Sequence, residues 1–287
     1  MTVCGFTFVR NGLKFDYPFL ESIRSLLPIC DRVIVAVGKS SDDTLKHVRS
    51  LNDSKIQILE TVWDESIRTG GSVLAQQTNI ALNVAAGDWG IYLQADEVLH
   101  ESDYSIIRQS LERETEDGRV EGLLFSYNHF FGGYRYVGHS RRWYRREVRA
   151  IRLGLGISSW GDAQGFRRNG RKLHVRPSGA SIYHYGWVKP PTVQQQKQQT
   201  FNKLWHDDDW VKMHVPQAAE FDYSKGGRLQ IFSGSHPAVM QERVRSQDWK
   251  FTYEENKSGW PIREQLLNGL ERFTGWRIGE YQNYELI

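Results

Sequence analysis

Short apolar runs alternate with longer amphipathic segments through the first third of the chain. The run at 3–9 (VCGFTFV) contains no charged residue, which is typical of a strand buried on both faces of a parallel sheet. Strands are predicted at 3–9, 32–37, 55–62 and 90–93. Helices are predicted between them at about 16–27, 44–51 and 72–86. This β-α-β-α-β-α-β order predicts a parallel sheet with helices on both faces and right-handed crossovers.

The pattern is less regular after Glu101. A charged helix is predicted to about Glu116, and residues 130–148 alternate aromatic and basic side chains, as expected for a β-hairpin or paired strands. Residues 154–170 are rich in glycine and are predicted to form a loop. The remaining predicted elements are strands at 122–127 and 180–185, a polar helix at 192–205, an acidic loop at 207–209, and short helices near 237–244 and 264–273.

Composition narrows the possible functions. The 287 residues are 39% hydrophobic, so core material is not limiting, and a net charge of +3 is too small to predict nucleic-acid binding. Cys4 and Cys30 lack metal or redox spacing, which favours reduced thiols in a cytoplasmic protein. No signal-peptide pattern and no apolar stretch of about 18 residues is found, so no transmembrane segment is expected. The predicted location is the cytoplasm or, because the tail is aromatic, the periphery of a membrane.

Two adjacent acids, Asp96 and Glu97, follow the apolar strand at 90–93. A strand of a parallel sheet delivers the residues after it to the carboxyl edge, where ligands of open α/β sheets bind. Carboxylates at that edge suit a hard divalent cation, and such a cation suits a substrate diphosphate. The alternative is that both acids only cap the next helix.

Four segments, taken in order, resemble a known family. They are Arg10-Asn11 after the first strand, the loop 40–44 (SSDDT) after the second, the stretch 76–97 (QQTNIALNVAAGDWGIYLQADE), and the late segment 182–187 (IYHYGW). In this order and spacing they resemble the family 2 glycosyltransferases over about residues 1–190. The resemblance implies the GT-A fold, a Rossmann-like α/β fold with a mostly parallel central sheet and helices on both faces.

The resemblance also implies a domain division and an activity. Residues 1–190 would form the catalytic domain, with a nucleotide-binding half at about 1–100 and an acceptor half at about 101–190, and residues 191–287 a helical extension packed on it. The implied activity is an inverting transfer of a sugar from a nucleotide-sugar donor, such as a UDP-, GDP- or dTDP-sugar. The acceptor would be a hydroxyl of a glycan, a lipid-linked sugar or a protein.

A metal site at Asp96 is part of the same resemblance. In the family an Asp at this position binds the cation that bridges the donor phosphates, and a late His, here His184, often completes the site, so Mn2+ or Mg2+ is the expected cofactor. The alternative for His184 is an ordinary hydrogen-bonded structural role. Two positions depart from the family pattern. Gln94 stands at the first carboxylate of the usual D-x-D motif, and Val37 and Gly38 stand where many members carry an Asp that reads the base.

The nucleotide-sugar is expected to contact residues that follow the early strands. Arg10 and Asn11 come directly after the first strand, and Asp42 matches the family position in the loop after the second. Gln76 and Asp96 belong to the third matching segment and complete the predicted binding set. Two of these residues have alternatives, because Arg10 could form a surface ion pair and Asp42 could cap the following helix.

An inverting transferase needs a carboxylate that takes the proton of the acceptor hydroxyl. Related sequences carry this base between the basic segment and the late HYG strand, and Asp162 is the only Asp or Glu between Arg149 and His184. Asp162 is therefore the predicted base, with a turn-forming role after Gly161 as the alternative. Trp160 beside it is predicted to stack on the acceptor sugar.

The basic run at 141–146 (RRWYRR) has two interpretations. In the first, Arg142 and Tyr144 bind the acceptor, and the arginines hold phosphates of the donor or of an anionic acceptor. In the second, the run is a solvated edge strand whose charges prevent aggregation.

Two other functions stay open at this point. A nucleotidyltransferase usually needs a Gly-rich basic loop after the first strand, and residues 10–16 contain a single glycine, which argues against it. A non-catalytic nucleotide-sugar-binding protein of the same fold is compatible with Gln94.

Overall fold

The computed structural model describes residues 1–254, 262–274 and 277–287. Its strands are β1 (Val3–Val9), β2 (Arg32–Gly38), β3 (Ile56–Thr61), β4 (Trp89–Tyr92), β5 (Glu97–Leu99), β6 (Gly122–Phe131), β7 (Tyr136–Gly138), β8 (Arg146–Arg152), β9 (Ile157–Trp160), β10 (Gly165–Arg168), β11 (His174–Trp187), β12 (Leu229–Ile231) and β13 (Glu285–Leu286). Its α-helices are α1 (Phe19–Leu26), α2 (Thr44–Ser50), α3 (Ser72–Val84), α4 (Tyr104–Thr115), α5 (Pro191–Phe201), α6 (Asp208–His214), α7 (Gln241–Arg245) and α8 (Ile262–Thr274).

A single central sheet carries the order β3-β2-β1-β4-β8-β6-β7-β12. Strands β1 to β4 run parallel to one another, and β8 is inserted antiparallel between β4 and β6. Strand β11 pairs in parallel with β6 and antiparallel with the short β5. The predicted α/β class, with a central, mostly parallel sheet and helices on both faces, is confirmed.

Strand β2 illustrates why the early strands are apolar at almost every position. Val33, Val35 and Val37 point into the core layer that α1 and α4 cover, whereas Ile34 and Ala36 point into the layer that α3 covers. Both faces of the strand are therefore buried, and the residue pattern is a continuous apolar run rather than an alternation.

The segment at 154–170 differs from the prediction. It contains the antiparallel hairpin of β9 and β10, with Trp160 opposite Gly165, where a loop was expected. Gly154 and Gly156, both with positive φ, lie before β9, and Gly161 (φ 64°) lies in the hairpin turn. These glycines shape the ends of the strands and do not interrupt them.

The structure differs from the prediction in two other segments. Residues 130–148 pair only in part, because β7 pairs with the end of β6 while 139–145 lie outside any strand. The acidic triplet begins a helix, since Asp207 caps α6 by accepting a hydrogen bond from the Trp210 backbone N–H at 2.7 Å.

Residues beyond 190 contribute to the sheet as well as packing beside it. Strand β12 pairs with β7 and β13 pairs with β11. No helix in the described part of the chain is long and apolar enough to cross a lipid bilayer.

Candidate functional site

Asp96 lies at the carboxyl edge of the sheet, in the turn between β4 and β5. Its backbone carbonyl accepts a hydrogen bond from the Tyr185 N–H at 2.8 Å, which ties the turn to β11. Its carboxylate faces His184, with Oδ1 3.9 Å from Nε2, and Lys197, with Oδ2 3.5 Å from Nζ. Burial raises the pKa of Asp96, but nearby positive charge, that of Lys197 first, outweighs this effect and leaves the pKa lowered. Asp96 is therefore an anion held beside an imidazole and an ammonium group.

The neighbouring Glu97 points the other way. It forms a fully buried two-pronged ion pair with Arg149, with N–O distances of 2.8 and 2.9 Å, and its Oε1 also accepts from the Tyr127 hydroxyl at 2.7 Å. The pair anchors β5 to β8 and leaves Asp96 as the acid of this turn that faces His184 and Lys197. The two adjacent acids thus have different environments.

His184 is oriented by a second histidine. His129 Nε2 lies 2.8 Å from the Tyr144 carbonyl, which can only accept, so this nitrogen carries the proton. Burial lowers the pKa of His129 well below, and that of His184 below, their ordinary values, so both rings are neutral. His129 Nδ1 then accepts from His184 Nδ1, 3.0 Å away. This arrangement leaves the lone pair of His184 Nε2 directed toward Asp96 Oδ1.

Gly186 makes this close approach possible. A Cβ at position 186 would lie 2.6 Å from His184 Nε2 and 2.8 Å from Asp96 Oδ2. Only glycine leaves both side chains in place.

Gln94 does not join the pair. Its amide Nε2 donates to the Ala163 carbonyl at 3.4 Å, and its backbone N–H donates to Glu97 at 3.0 Å. The amide that replaces the first carboxylate of the family motif therefore connects the β4 turn to the β9–β10 turn.

A cavity of about 320 Å³ opens beside Asp96, and we name it the edge cavity. It lies beyond the carboxyl ends of β1, β3 and β4 and is closed on one side by α5. Among its lining residues are Arg10, Asn11, Tyr17, Trp63, Asp96, Lys197, Phe201 and Lys203. It combines aromatic surface with four cationic side chains and three carboxylates, since Asp64, Glu65 and Arg68 also line it.

Arg10 and Asn11 follow β1 and lie at the wall of the edge cavity. The Arg10 guanidinium pairs with Glu65 at 2.6 Å and stacks over the Trp63 ring at 5.4 Å. Asn11 Oδ1 accepts from the Ser41 N–H at 2.8 Å, which ties the loop after β1 to the loop after β2.

Trp63 explains one departure from the family pattern. A Cβ at Gly38 would lie 2.4 Å from Trp63 Nε1, so the indole occupies the space that a side chain at the end of β2 would need. A base-reading Asp at position 38 is therefore sterically incompatible with this tryptophan.

Asp42 and Gln76 are not brought to the edge cavity. Both carboxylate oxygens of Asp42 accept backbone hydrogen bonds, from Lys14 at 2.7 Å and from Thr44 at 3.0 Å, and these contacts fit the helix-start alternative. Gln76 lies on the exposed side of α3, whereas the next residue, Gln77, is buried and accepts from Thr61 at 2.6 Å.

Lys197 is a site residue that the sequence analysis missed. It is the only charged residue of α5, and its ammonium donates to the Gly186 carbonyl at 3.0 Å as well as facing Asp96. Lys189 lies behind it, and the Tyr17 ring is contacted by Lys189 at 4.5 Å and Lys197 at 4.8 Å. Burial, aided by the charge of Lys197, lowers the pKa of Lys189 to about 7. The sequence signal that could have identified Lys197 is its position as the single charged residue of an otherwise uncharged helix.

Asp162 lies in the β9–β10 turn, close to the start of α3. A Cβ at Gly71 would come 2.9 Å from the Asp162 Cβ, and Asp162 Oδ1 accepts weakly from the Gln164 N–H at 3.3 Å. Trp160 is 54% exposed and has the Arg167 guanidinium 4.5 Å above its ring. Neither Asp162 nor Trp160 contributes to the lining of the edge cavity.

Glu147 is a second missed residue near this turn. It is buried at the start of β8, with Oε1 accepting from the Gln164 side chain at 2.9 Å and Oε2 unpartnered among the described residues. Burial raises its pKa to about 7. No sequence signal marks it, because an acid beside arginines is ordinary on a charged strand.

A second cavity, of about 850 Å³, lies on the other side of the two histidines, and we name it the basic cavity. His129 and Tyr144 line it, with their rings 4.4 Å apart. Arg142 lies outside it, where the guanidinium donates to the Lys225 carbonyl at 2.6 Å. Of the two predicted acceptor-binding residues in the basic run, Tyr144 lines the basic cavity and Arg142 does not.

The donor set at Asp96 can be compared with what a divalent cation needs. Within the described ranges, no group of three or more His, Cys, Asp or Glu side chains is placed to hold a metal ion. The pair of Asp96 Oδ1 and the unprotonated His184 Nε2 nevertheless offers one hard and one borderline ligand on the same side of the turn. Such a pair fits Mn2+ or Mg2+ when the ligand itself supplies further oxygens.

No protein-family model and no curated protein matches the chain. Among solved structures, it is similar to S. aureus TarS 1–349 in complex with UDP-GlcNAc, at 12% identity and a TM-score of 0.42, over 76% of this chain and 68% of that chain. It is also similar to glucosyl-3-phosphoglycerate synthase from Mycobacterium tuberculosis in complex with Mn2+, UDP and phosphoglyceric acid, at 17% identity and a TM-score of 0.29. That match covers 46% of this chain and only 44% of the synthase chain. Function is not transferable at this level of similarity, so the proposed function rests on the site.

Proposed function

We propose that the protein is a glycosyltransferase of the GT-A type that transfers a sugar from a nucleoside-diphosphate sugar to a hydroxyl group. The observation that carries this proposal is the pair of Asp96 and His184: Asp96 lies at the wall of the edge cavity, and His184 Nε2 lies 3.9 Å from its Oδ1. The pair lies at the carboxyl edge of a parallel sheet, which is the edge where open α/β sheets bind nucleotides.

The edge cavity supports a nucleoside diphosphate as the donor's leaving part. Trp63, Tyr17 and Phe201 offer ring faces for a base or ribose, and Lys197 offers a cation near Asp96 for the diphosphate. Arg10 adds a guanidinium that is already paired with Glu65 and is therefore held in place. UDP, GDP and dTDP all have this chemistry, and the lining does not select among them.

Asp96 and His184 are the proposed metal ligands, for Mn2+ or Mg2+. A bound cation would neutralise the charge that develops on the diphosphate as the glycosidic bond breaks. Lys197 would hold the same region positive from the other side of Asp96, and His129 would keep the His184 lone pair directed at the site.

Asp162 is the proposed general base of an inverting displacement. It would take the proton of the acceptor hydroxyl as that oxygen attacks the sugar carbon, and the diphosphate would leave from the opposite face. Its place in a turn with few restraining contacts supports a carboxylate that moves toward the acceptor. Trp160, next to it and half exposed, is the proposed platform for a sugar ring. The acceptor is a glycan, a lipid-linked sugar or a protein.

The first experiment measures thermal stabilisation by UDP-, GDP-, dTDP- and CDP-sugars, each with and without Mn2+. A ligand that binds only the folded protein at about a hundred times its Kd adds about 2.7 kcal/mol, which raises Tm by several degrees. We expect one nucleotide class to stabilise the wild type in an Mn2+-dependent way. We expect Asp96→Asn to abolish the shift.

The matched control is Asp209→Asn, which makes the same chemical change at an exposed position in the first turn of α6. It should respond like the wild type. If no nucleotide-sugar stabilises the protein, or if Asp96→Asn responds normally, the proposed donor site is wrong. A donor that binds but is never turned over, even with Asp162 intact, would instead indicate a non-catalytic binding protein.

A further inference from the structure

The basic cavity has more arginines than acids on its described lining. Arg145, Arg146, Arg228 and Arg277 line it, with Glu271 as the one carboxylate among the described lining residues. A cavity of about 850 Å³ is large enough for a sugar-sized ligand. The charge of its lining favours an anionic ligand over a cationic or purely apolar one.

Part of this charge is already balanced within the protein. Glu271 receives ion pairs from Arg141, Arg145 and Arg277 at 2.9, 3.3 and 2.9 Å, and Glu280 receives a second one from Arg145. These pairs hold the guanidinium groups in fixed positions around the cavity. A fixed array of this kind binds an anion with less loss of side-chain freedom than free arginines would.

Arg146 differs from its neighbours. It is exposed at the start of β8 and lines the cavity, and its guanidinium makes no side-chain hydrogen bond or close ion pair with the described residues, although its charge acts on Glu280 from a longer distance. Two further donors on the lining, Ser140 Oγ and Trp143 Nε1, are buried and have no hydrogen-bond partner among the described residues. Buried donors without partners are rare in folded proteins, and an oxyanion would satisfy them.

The basic cavity and the edge cavity meet at the two histidines. His129 lines the basic cavity, its Nδ1 lies 3.0 Å from His184, and His184 in turn faces Asp96 of the edge cavity across 3.9 Å. A ligand of the basic cavity would therefore lie next to the diphosphate site, separated from it by one layer of side chains. Tyr144, Tyr127 and Trp143 add aromatic surface suited to a sugar or another ring-bearing group.

We propose that the basic cavity binds a phosphate ester that the acceptor carries. The inference rests on the proposed glycosyltransferase function and deepens it by naming the acceptor's chemical class. Guanidinium groups recognise phosphate oxygens through paired, charge-assisted hydrogen bonds, which a neutral sugar hydroxyl does not offer. The phosphate would anchor the acceptor at Arg146 and its neighbours.

The test measures binding of glucose 6-phosphate, glucose and glucuronate by calorimetry, with UDP and Mn2+ present at saturation. Glucose 6-phosphate is expected to bind, and glucose is expected to bind at least about tenfold more weakly, because it lacks the charge-assisted contacts. Glucuronate carries a carboxylate in place of the phosphate, so it tests whether the site recognises a phosphate or any anionic group. It is expected to bind more weakly than glucose 6-phosphate.

Arg146→Gln and, in a second protein, Arg228→Gln are expected to weaken glucose 6-phosphate binding by at least about tenfold each. Both should leave UDP binding unchanged. The matched control is Arg135→Gln, the same charge change at an exposed position on the β6–β7 turn, outside the cavity lining. It should leave both affinities unchanged. Circular dichroism of each variant checks that the fold is kept.

Four results would overturn the inference. Glucose 6-phosphate could compete with UDP, which would place the phosphate in the edge cavity. Glucose or glucuronate could bind as tightly as glucose 6-phosphate does. Alternatively, Arg146→Gln and Arg228→Gln could both bind glucose 6-phosphate with the affinity of the wild type. Absence of UDP binding would count against the proposed function itself, whereas UDP binding without phosphate-ester binding would overturn only the present inference.

Discussion

His129 acts on the candidate site only through another side chain. It contacts His184 at 3.0 Å and the Tyr144 carbonyl at 2.8 Å, and so it decides which nitrogen of His184 bears the proton. Residues in this relation to a metal ligand typically change metal affinity by 10–100-fold when they are replaced. We classify His129 as a positioning residue.

Replacing His129 by Leu is expected to lower Mn2+ affinity by about 10–100-fold in the presence of UDP, because His184 loses the acceptor for its Nδ1 proton. His129→Asn keeps an acceptor oxygen near the same place and should recover part of the loss. Electron paramagnetic resonance of free Mn2+ measures both affinities. Equal, wild-type affinity in both variants would show that His129 has no part in orienting the site.

Glu147 gives the stability of the fold a pH dependence. Burial raises the pKa of this carboxyl from 4.5 to about 7, so the folded state keeps a proton that the unfolded chain releases between these values. The contribution of this group to the stability of the fold is therefore fully present below pH 4.5 and is lost as the pH rises through about 7. Each unit of difference between the folded and unfolded pKa values corresponds to about 1.4 kcal/mol, so the free energy of unfolding falls by on the order of 2–4 kcal/mol over this range.

Glu147→Gln removes this titration and keeps a similar shape. Urea unfolding of both proteins from about pH 5 to about pH 8 should show the variant gaining stability relative to the wild type as the pH rises. A constant difference across that range would mean that Glu147 does not titrate as its burial indicates.

At the scale of elements, the site exists because β6 and β11 continue past the edge at which β4 ends. Their extended pairing, which includes His129 opposite His184, carries both histidines beyond the sheet to the level of Asp96. Gly186, two residues further along β11, leaves the gap in which the two side chains meet. The backbone of one long strand thus sets the spacing of the proposed ligands.

Gly186→Ala should therefore abolish Mn2+-dependent nucleotide binding while the fold persists. The new Cβ would meet two side-chain ends, at 2.6 and 2.8 Å, and these can move apart at little cost to the core. Gly118→Ala is the matched control, because nothing lies within 4 Å of a Cβ built there. The measurement is the thermal shift with a nucleotide-sugar and Mn2+. Undiminished binding by Gly186→Ala would refute this account of the gap.

The first four strands and three helices were predictable because each buried strand is an apolar run and each helix has a polar side. The placement of Asp96 followed from the same logic, since residues after a parallel strand reach the carboxyl edge. The hairpin of β9 and β10 was not predictable, because glycines at strand ends and glycines in loops look alike in the sequence. The contact of Asp96 with Lys197 was not predictable either. It depends on the tertiary packing of α5 against the sheet edge, which no local sequence pattern indicates.

At the scale of the whole molecule, the edge cavity is built from both ends of the chain. The early loops supply Arg10, Asn11 and Trp63, while α5 and the residues after it supply Lys197 and Phe201. Residues beyond 190 therefore form a wall of the proposed donor site, in addition to the packing role predicted for them.

Lys197→Met should weaken binding of a nucleoside diphosphate by about tenfold or more, because one charge-assisted contact near the phosphates is lost. The methionine keeps most of the aliphatic stem that packs on Tyr17 and Phe201. Lys212→Met, at an exposed position on α6, should bind like the wild type. Calorimetric titration with UDP compares the three proteins. Full affinity in Lys197→Met would exclude Lys197 from the phosphate site.

The contact between Asp96 and Lys197 also has a consequence for how the protein is made. The two residues are 101 positions apart, so a ribosome that adds about 5–20 residues per second delivers the ammonium group on the order of ten seconds after the carboxylate. During that interval the nascent sheet presents Asp96 with neither His184 nor Lys197 beside it. The proposed donor site would therefore be completed late in synthesis, and a nascent chain released before α5 emerges would carry Asp96 without Lys197.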